Sequence, residues 1–270
     1  MLVNGVNYNV RLVGSGPAVV ALHGFAGNMS TWTEFVRQAR RRYTVITVDL
    51  LGHGGSDAPR DLKRYRMERA AGDIATVIHR LGFPQACWLG YSMGGRMALA
   101  AAASTPTPCN SLVLEGASPG LKSQTARARR QRKDEALARF ILQEGVEGFT
   151  KYWAERPLFN TQKSLPSQIQ DRIRRQRLES SPIGLANSLR AAGSGTQPAM
   201  HKLLSTLQIP VLCIAGEYDR KFTMIARNMS NKLRNGRLAV IPGAGHATHL
   251  EKPRDFNKVV LAFLDESLTE

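Results

Sequence analysis

One serine in this chain lies in a setting where a side-chain hydroxyl can do chemistry. Ser92 is the centre of Gly90-Tyr91-Ser92-Met93-Gly94, which follows an apolar run and precedes an alanine-rich stretch. This context is typical of a tight turn from a strand into a helix, where flanking glycines allow close packing and the hydroxyl stays exposed at the helix N-terminus. A serine that merely caps a helix is the alternative. We predict that Ser92 is a catalytic nucleophile.

A nucleophilic serine requires a base beside it and an acid that orients the base. His246 ends the glycine-rich segment Pro242-Gly-Ala-Gly-His246 after the last apolar run, and we predict that it is the base. In turns of this type the partners follow the serine in the order acid, then histidine. Asp219, just beyond an earlier apolar run, is therefore the predicted acid. Glu217 and Glu115, which also follow apolar runs, are alternatives for that role.

The same chemistry needs two backbone N–H groups that converge on a developing negative charge. Met93 directly follows the serine, and we expect it to supply one of them. Phe25, in the turn His23-Gly24-Phe25 after the first buried run, is expected to supply the other. Even if the Phe25 ring only packs in the core, its backbone N–H can still donate.

Three further histidines are assigned no catalytic role. We expect His249, three residues after His246, to be packed or hydrogen-bonded near the base. His53 lies in a glycine-rich loop and is interpreted as structural, while His201 stands alone in a helical region. No group of His, Asp and Glu residues has the spacing of metal ligands, so we expect neither a metal nor another cofactor.

Apolar runs of strand length alternate with helical patterns in both the first and the last part of the chain. This alternation is typical of a doubly wound α/β fold with a mostly parallel sheet. The predicted strands are 18–22, 45–48, 87–90, 112–114, 210–215 and 237–241. The predicted helices of the alternating part are 31–42, 67–81, 94–103, 223–233 and 253–266.

Between residues 118 and 205 the alternation stops, and the sequence is that of charged helices interrupted by prolines. We therefore predict a core of residues 1–117 and 206–270 with an inserted helical cap of residues 118–205. Residues 117–205 contain 16 Lys and Arg against 7 Asp and Glu, and the whole chain has a net charge of +16. Solvated helical faces or an anionic substrate would each explain this excess.

The composition argues against several classes of protein. The positive charge is not accompanied by a nucleic-acid-reading module or by interleaved aromatic residues, so we expect no nucleic-acid partner. No apolar run approaches the ~18 residues of a membrane span, and the first residues lack the pattern of a signal peptide. Cys87, Cys109 and Cys213 are scattered, which favours buried thiols in a reducing compartment and a cytoplasmic protein.

A series of motifs across nearly the whole chain resembles one enzyme family. In order, they are His23-Gly24-Phe25, Gly52-His-Gly-Gly-Ser56, Gly90-Tyr-Ser-Met-Gly-Gly-Arg96, Glu115-Gly-Ala-Ser-Pro-Gly-Leu121, Trp153 with Pro157-Leu-Phe159, Gly216-Glu-Tyr-Asp-Arg-Lys-Phe222 and Gly245-His246. Together they resemble the 2-succinyl-6-hydroxy-2,4-cyclohexadiene-1-carboxylate synthases of menaquinone biosynthesis, which belong to the α/β-hydrolase superfamily. The most discriminating motifs are Arg96 after the double glycine, the entry to the cap at residues 118–121, and the segment 218–222.

The resemblance implies an α/β-hydrolase fold and a lyase that uses a Ser-His-Asp triad. That family removes pyruvate from 2-succinyl-5-enolpyruvyl-6-hydroxy-3-cyclohexene-1-carboxylate, so the implied partner is a small-molecule tricarboxylate. The implied mechanism has no acyl-enzyme, because Ser92, activated by His246, abstracts a ring proton. We expect a monomer or a small homo-oligomer.

The resemblance also implies a set of substrate-binding residues. By motif position these are Arg96, Arg130 and Arg177, together with Trp153 and Tyr91. Arginine suits carboxylates because its planar guanidinium can donate two parallel hydrogen bonds. Neighbouring arginines in the same clusters are alternatives to Arg130 and Arg177.

Two other classes of function compete with this interpretation. An ordinary serine hydrolase, either an esterase or a C–C bond hydrolase, would use the same triad to form an acyl-enzyme or to activate water. A non-catalytic binding protein of the same fold is disfavoured by a complete set of serine, acid and histidine in the expected order. Several arginines in the cap favour the synthase, because a hydrolase of neutral esters does not need cations over its pocket.

Overall fold

A computed structural model describes residues 1–268 of the chain, and residues 269–270 of the predicted core segment lie outside that range. Nine strands occur in this described range. They are β1 Leu2–Val3, β2 Val6–Asn7, β3 Val10–Val13, β4 Ala18–Leu22, β5 Thr44–Val48, β6 Ala86–Tyr91, β7 Cys109–Glu115, β8 Val211–Gly216 and β9 Gly236–Ile241. The first two form a small antiparallel pair, and the other seven form one sheet in the order β3-β5-β4-β6-β7-β8-β9. Only β3 runs antiparallel to its neighbour in that sheet.

Helices cover both faces of the sheet and fill the long segment between β7 and β8. They are α1 Thr33–Ala39, α2 Met67–Arg80, α3 Met93–Ala101, α4 Gln124–Ala154, α5 Ser167–Leu178, α6 Pro182–Ala192, α7 Arg220–Ser230, α8 Thr248–Glu251 and α9 Pro253–Leu268. Short 3-10 helices occupy Met29–Trp32, Leu62–Tyr65 and Pro157–Ser164. Within residues 1–268, no helix combines the length and apolar character needed to span a membrane.

All six predicted strands are present, which confirms the predicted α/β class with a mostly parallel sheet. The strands β1 to β3 were not predicted. They are two to four residues long, and β3 is an edge strand that is only partly buried, so they lack a continuous apolar run. The predicted helix 31–42 is wrong at both ends. It starts as the 3-10 turn Met29–Trp32 and its α-helical part ends at Ala39, because the chain must turn there to enter β5 at Thr44.

The core consists of two apolar layers, one on each face of the sheet. Side chains of successive strand residues point to opposite faces, so Val20, Leu22 and Trp88 pack in one layer while Val19 and Leu89 pack in the other. Strands β4, β5 and β8 are buried along their whole length, as expected for parallel strands covered by helices on both sides. The three cysteines are buried free thiols.

The helices α4, α5 and α6 lie between β7 and β8, where the sequence predicts an insertion. Helix α4 is bent at Gly145, whose φ of 68° departs from helical values. Helix α6 packs directly on the loop that follows β5, because Gly184 and Gly52 approach each other without side chains. A separate apolar cluster that includes Ala138, Ile141 and Leu185 holds α4 and α6 together.

Candidate active site

The parallel strands end at one edge of the sheet, and the residues predicted to do chemistry follow those ends. Phe25 follows β4, Ser92 follows β6, Asp219 follows β8 and His246 follows β9. Crevices at the carboxyl ends of parallel strands are where ligands bind in open α/β sheets. The topology therefore assembles the site from segments that are far apart in the sequence.

Ser92 lies in a tight turn between β6 and α3 with a φ of 51°, a left-handed conformation that side chains rarely adopt. Glycine is required on both sides of it. A Cβ on Gly90 would lie 2.4 Å from the carbonyl oxygen of Gly94, and a Cβ on Gly94 would lie 2.2 Å from the carbonyl oxygen of Leu22. The Ser92 N–H donates to the Glu115 carbonyl at 2.7 Å. These contacts hold the hydroxyl at the N-terminus of α3, as the motif predicts.

The structure brings the predicted serine, base and acid into one hydrogen-bonded line. His246 Nε2 lies 3.2 Å from Ser92 Oγ, and His246 Nδ1 lies 2.6 Å from Asp219 Oδ2. The other carboxylate oxygen of Asp219 accepts the Phe222 N–H at 3.2 Å and so caps α7. With the proton on Nδ1, this arrangement lets His246 donate to Asp219 and leaves Nε2 able to accept the serine proton.

The two alternative acids do not reach the His246 ring. Glu217 is exposed and accepts the Gly243 N–H at 2.8 Å. Glu115 is buried, and its carboxylate accepts the Thr248 hydroxyl at 2.7 Å and the His249 N–H at 3.0 Å. His249 is thus hydrogen-bonded near the base, as its position predicts.

Glu251 contacts the base loop and was not singled out by the sequence. Its carboxylate accepts the Gly245 N–H at 2.6 Å and the Ala247 N–H at 3.1 Å, one residue on either side of His246. The short helix α8 places Glu251 for this role, and a four-residue helix leaves no periodic signal in a sequence.

Phe25 and Met93, the two predicted backbone donors, line the same cleft as Ser92. Within residues 1–268, neither the Phe25 N–H nor the Met93 N–H donates to another protein group. The turn that carries Phe25 is held by His23, whose Nδ1 donates to the Gly24 carbonyl at 2.8 Å and whose Nε2 accepts the Leu50 N–H at 2.9 Å. This buried histidine was part of a motif but had no assigned role.

A cleft of about 1550 Å³ opens over Ser92 and His246 and extends between the sheet edge and the inserted helices. Its lining is strongly basic: eight cationic side chains contribute to it, and the one carboxylate among the described lining residues is that of Asp134. The cations are Arg96, Lys122, Arg129, Arg130, Lys133, Arg156, Lys221 and Lys232. A cleft with this charge attracts anions.

Arg96 and Arg130, two of the predicted substrate-binding residues, lie in this lining. Arg96 reaches from α3 to the inserted segment, where its Nη1 donates to the Ala192 carbonyl at 2.7 Å and to Gln197 Oε1 at 2.9 Å. Burial, followed by the nearby Arg130, lowers the pKa of Arg96 to about 10. Arg130 donates from Nε to Asp134 Oδ1 at 2.8 Å.

Arg177 lies in a smaller neighbouring cavity of about 40 Å³. The two cavities share the side chains of Phe25, Tyr91, Trp153 and Phe159, which form a wall between Arg177 and the main cleft. Arg177 is buried, which lowers its pKa to about 10, and its guanidinium stacks 5.4 Å from the centre of the Phe159 ring. The sequence places Arg177 near the site but does not reveal this wall.

Aromatic rings surround the base. Trp153 packs against Phe25 and Phe159 with ring centres 5.5 and 5.6 Å apart, and the Tyr91 ring centre lies 5.3 Å from that of His246. Phe222 lies even closer to the His246 ring, at 4.6 Å. Phe159 and Phe222 both belong to motifs of the sequence, but their contacts with the His246 ring depend on packing.

His201 and His53, to which the sequence analysis assigns no catalytic role, also lie in this region. His201 lines the cleft, and His53 is buried with its ring centre 5.9 Å from that of Phe25. Among residues 1–268 there is no group of three or more His, Cys, Asp or Glu side chains arranged to hold a metal ion.

A family model described as the alpha/beta hydrolase fold matches residues 17–253. The chain belongs to this family. A thermophilic esterase from Thermogutta terrifontis is 24% identical with a TM-score of 0.87 over 98% of this chain and 96% of its own, a likeness that shows the fold alone.

More similar relatives identify the branch of the family. A Bacillus subtilis (strain 168) protein provisionally named 2-succinyl-6-hydroxy-2,4-cyclohexadiene-1-carboxylate synthase is 42% identical over 97% of this chain and 96% of its own. The synthase of that name from Escherichia coli O1:K1 is 31% identical over 88% of this chain and 89% of its own. The structure of MenH from S. aureus is 34% identical with a TM-score of 0.91, over 96% of this chain and 98% of that one. The chain belongs to the family of these synthases.

Proposed function

We propose that this chain is a lyase of menaquinone biosynthesis. It eliminates pyruvate from 2-succinyl-5-enolpyruvyl-6-hydroxy-3-cyclohexene-1-carboxylate and so forms 2-succinyl-6-hydroxy-2,4-cyclohexadiene-1-carboxylate. The observation that carries the proposal is the basic cleft directly over the Ser92–His246 pair. The cations of the cleft would bind the three carboxylates of this substrate. The names of the relatives point to the same reaction.

The proposed chemistry begins with proton removal from the ring carbon beside the succinyl ketone. Ser92 Oγ takes that proton as its own proton passes to His246 Nε2. Electrons from the broken C–H bond form a new ring double bond, the existing double bond moves by one position, and the C–O bond to the enolpyruvyl group breaks. Pyruvate leaves as its enolate and is protonated, and a conjugated diene remains. No acyl-enzyme forms.

The backbone N–H groups of Phe25 and Met93 stabilise the negative charge that develops on the ketone oxygen. A preorganised donor of this kind contributes about 3 kcal/mol to a transition state. Asp219 keeps the proton on His246 Nδ1 and stabilises the imidazolium that forms transiently. The 2.6 Å contact between these two side chains supports that role.

We propose Arg96 and Arg130 as ligands of the substrate carboxylates in the main cleft. Asp134 orients Arg130 through Nε, which leaves the two terminal nitrogens of that guanidinium for a substrate. Trp153 and Tyr91 would lie against the ring of the bound substrate. Arg177 requires the aromatic wall to open before it can contact a carboxylate in the main cleft, because it lies in the adjoining cavity.

We further propose that residues 118–205 act as a cap over a core formed by residues 1–117 and 206–270. The helical insertion between β7 and β8 contributes most of the cations that line the cleft, which supports this division. A reducing, cytoplasmic location is proposed because the three buried cysteines are free thiols. We propose a monomer or a small homo-oligomer that binds a small-molecule substrate.

A serine hydrolase is the second candidate, because a serine 3.2 Å from a carboxylate-oriented histidine can also attack an ester. The test is to supply the purified protein with the enolpyruvyl substrate and, separately, with p-nitrophenyl acetate and butyrate. The proposal predicts stoichiometric pyruvate and a new diene absorbance, with slow ester turnover. Rapid ester hydrolysis without pyruvate would favour the hydrolase.

A further inference from the structure

Glu115 is a buried carboxylate behind the proposed triad. It ends β7 and is fully shielded from solvent, and it takes no part in the proposed proton transfers. Its Oε1 accepts the Thr248 hydroxyl at 2.7 Å and the His249 N–H at 3.0 Å. His249 Nδ1 lies 3.0 Å from the same oxygen and 2.8 Å from Oε2. The carboxylate therefore anchors the chain two and three residues beyond His246.

The backbone of the same residue contacts the serine turn. The Glu115 carbonyl accepts the Ser92 N–H at 2.7 Å. The next residue, Gly116, has a φ of 55° and lies so close to the base that a Cβ on it would be 2.9 Å from His246 Cε1. The end of β7 thus touches both the serine and the histidine of the proposed triad.

His249 extends this network to a third segment. Its Nε2 lies 2.7 Å from Thr31 Oγ1, in the 3-10 helix Met29–Trp32 that follows the Phe25 turn. Because an ionised carboxylate only accepts hydrogen bonds, Nδ1 donates to Glu115, and in the neutral imidazole this leaves Nε2 to accept the Thr31 hydroxyl. The Tyr91 ring lies beside both histidines, 4.8 Å from His249 and 5.3 Å from His246 between ring centres.

We propose that Glu115 and His249 are positioning residues that hold three segments in register: the Ser92 turn, the His246 loop and the segment after the Phe25 turn. This inference rests on the proposed function, since it assigns the two residues to the geometry of that site. A buried charge that accepts several directed hydrogen bonds is rigid, and triad catalysis depends on atomic placement within about 1 Å. Loss of the charge should therefore slow the chemical step without weakening substrate binding.

The test compares Glu115→Gln with Glu217→Gln in the full-length protein. Glutamine keeps the size of the side chain, but its NH2 group would face the His249 donor. We expect kcat for pyruvate release to fall about 10- to 100-fold in Glu115→Gln, with KM within about twofold of wild type. The control, Glu217→Gln, removes a carboxylate that accepts the Gly243 N–H in the same loop as His246. Its kcat should stay within about twofold of wild type.

A second variant, Thr31→Val, tests the same hydrogen-bond network at another residue. It deletes only the outer hydroxyl and keeps the Glu115–His249 contact, so we expect a several-fold loss of kcat with unchanged KM. All rates are measured at least 15 °C below each variant's Tm, so that unfolding does not contribute. Glu115→Gln and Thr31→Val variants that are less stable but retain wild-type kcat when folded would overturn the positioning role.

A second readout separates this inference from the proposed reaction. A fluorescent alkyl phosphonate that modifies activated serines reports on Ser92 and His246 without the natural substrate. We expect Glu115→Gln to slow labelling of Ser92 about as much as it slows kcat. If the wild type labels quickly but releases no pyruvate, the proposed reaction fails while slower labelling of Glu115→Gln still supports positioning. A wild type that neither labels nor releases pyruvate would overturn both.

Discussion

Gly184 in α6 and Gly52 in the loop after β5 pack backbone against backbone. A Cβ on Gly184 would lie 2.1 Å from the Cα of Gly52, and a Cβ on Gly52 would lie 2.3 Å from the Cα of Gly184. The Ser181 N–H also donates to the Gly52 carbonyl at 3.0 Å, just before α6 begins. The pair joins the inserted helices to the sheet at one close contact.

Gly184→Ala should therefore destabilise the protein, because no flexible side chain can move aside. We expect a loss of about 2 kcal/mol, or roughly 5 °C in Tm. Gly72→Ala is the matched control, since Gly72 lies exposed in α2 and no atom of the described residues comes within 4 Å of an added Cβ. That variant should be neutral or slightly more stable. Thermal melts of both variants decide the matter, and equal Tm values would contradict the close packing.

Asp219→Asn should lower kcat by about three to four orders of magnitude. An amide cannot accept the His246 Nδ1–H and cap α7 at Phe222 at the same time, so the histidine loses the tautomer that the proposed chemistry needs. The measurement is the kcat of pyruvate release beside that of Glu217→Gln. A fall in Glu217→Gln, with normal turnover in Asp219→Asn, would reassign the acid.

Lys221→Ala should raise KM for the tricarboxylate. The Lys221 ammonium lies in the cleft lining and stacks 5.4 Å from the centre of the Phe222 ring, which itself packs on His246. Because the side chain is exposed, we expect a loss of about 1 kcal/mol of binding, roughly a fivefold rise in KM that shrinks at high salt. Arg220→Ala removes an adjacent exposed cation outside the lining. If both variants raise KM equally, general attraction rather than the position of Lys221 is responsible.

Stability should fall as the pH is lowered from about 6.5 towards 3. Burial, and then the neighbouring His23, lowers the pKa of His53 to about 3, so the folded protein keeps this imidazole neutral while the unfolded chain protonates it below about 6.5. Folding is therefore penalised by up to about 1.4 kcal/mol per pH unit in this window. In His53→Asn the amide can replace the donor to the Leu51 carbonyl, and the stability curve should be flatter. Urea unfolding between pH 8 and pH 4.5 measures both slopes, and identical slopes would contradict this cause.

Local motifs predict much of the site, because the chemistry and the turn depend on the same few residues. Gly90 to Gly94 specify both the strained turn and the serine. The order of the later strands along the chain then indicates which acid and which histidine can lie beside Ser92. Residues whose roles depend on packing between distant segments carry no such signal. Arg177 is separated from the main cleft by a wall of aromatic rings, and Glu115 contacts Thr248, 133 residues further along the chain. Neither the aromatic wall nor the contact of Glu115 can be predicted from the spacing of residues in the sequence.

The edges of the fold were also harder to predict than its centre. The buried strands β4 and β5 have continuous apolar runs, whereas the edge strand β3 includes exposed Arg11 and Leu12. It pairs antiparallel with β5, and none of its four side chains is fully buried.

The most direct test of the account is pyruvate release by wild type and Ser92→Ala from the enolpyruvyl tricarboxylate. Pyruvate is followed with lactate dehydrogenase and NADH, and the diene by its absorbance in the same sample. We predict one pyruvate and one diene per substrate for wild type, and a loss of several orders of magnitude in kcat for Ser92→Ala with an unchanged Tm. Ser92→Ala turnover within tenfold of wild type, or a wild type that releases no pyruvate, would contradict the central claim.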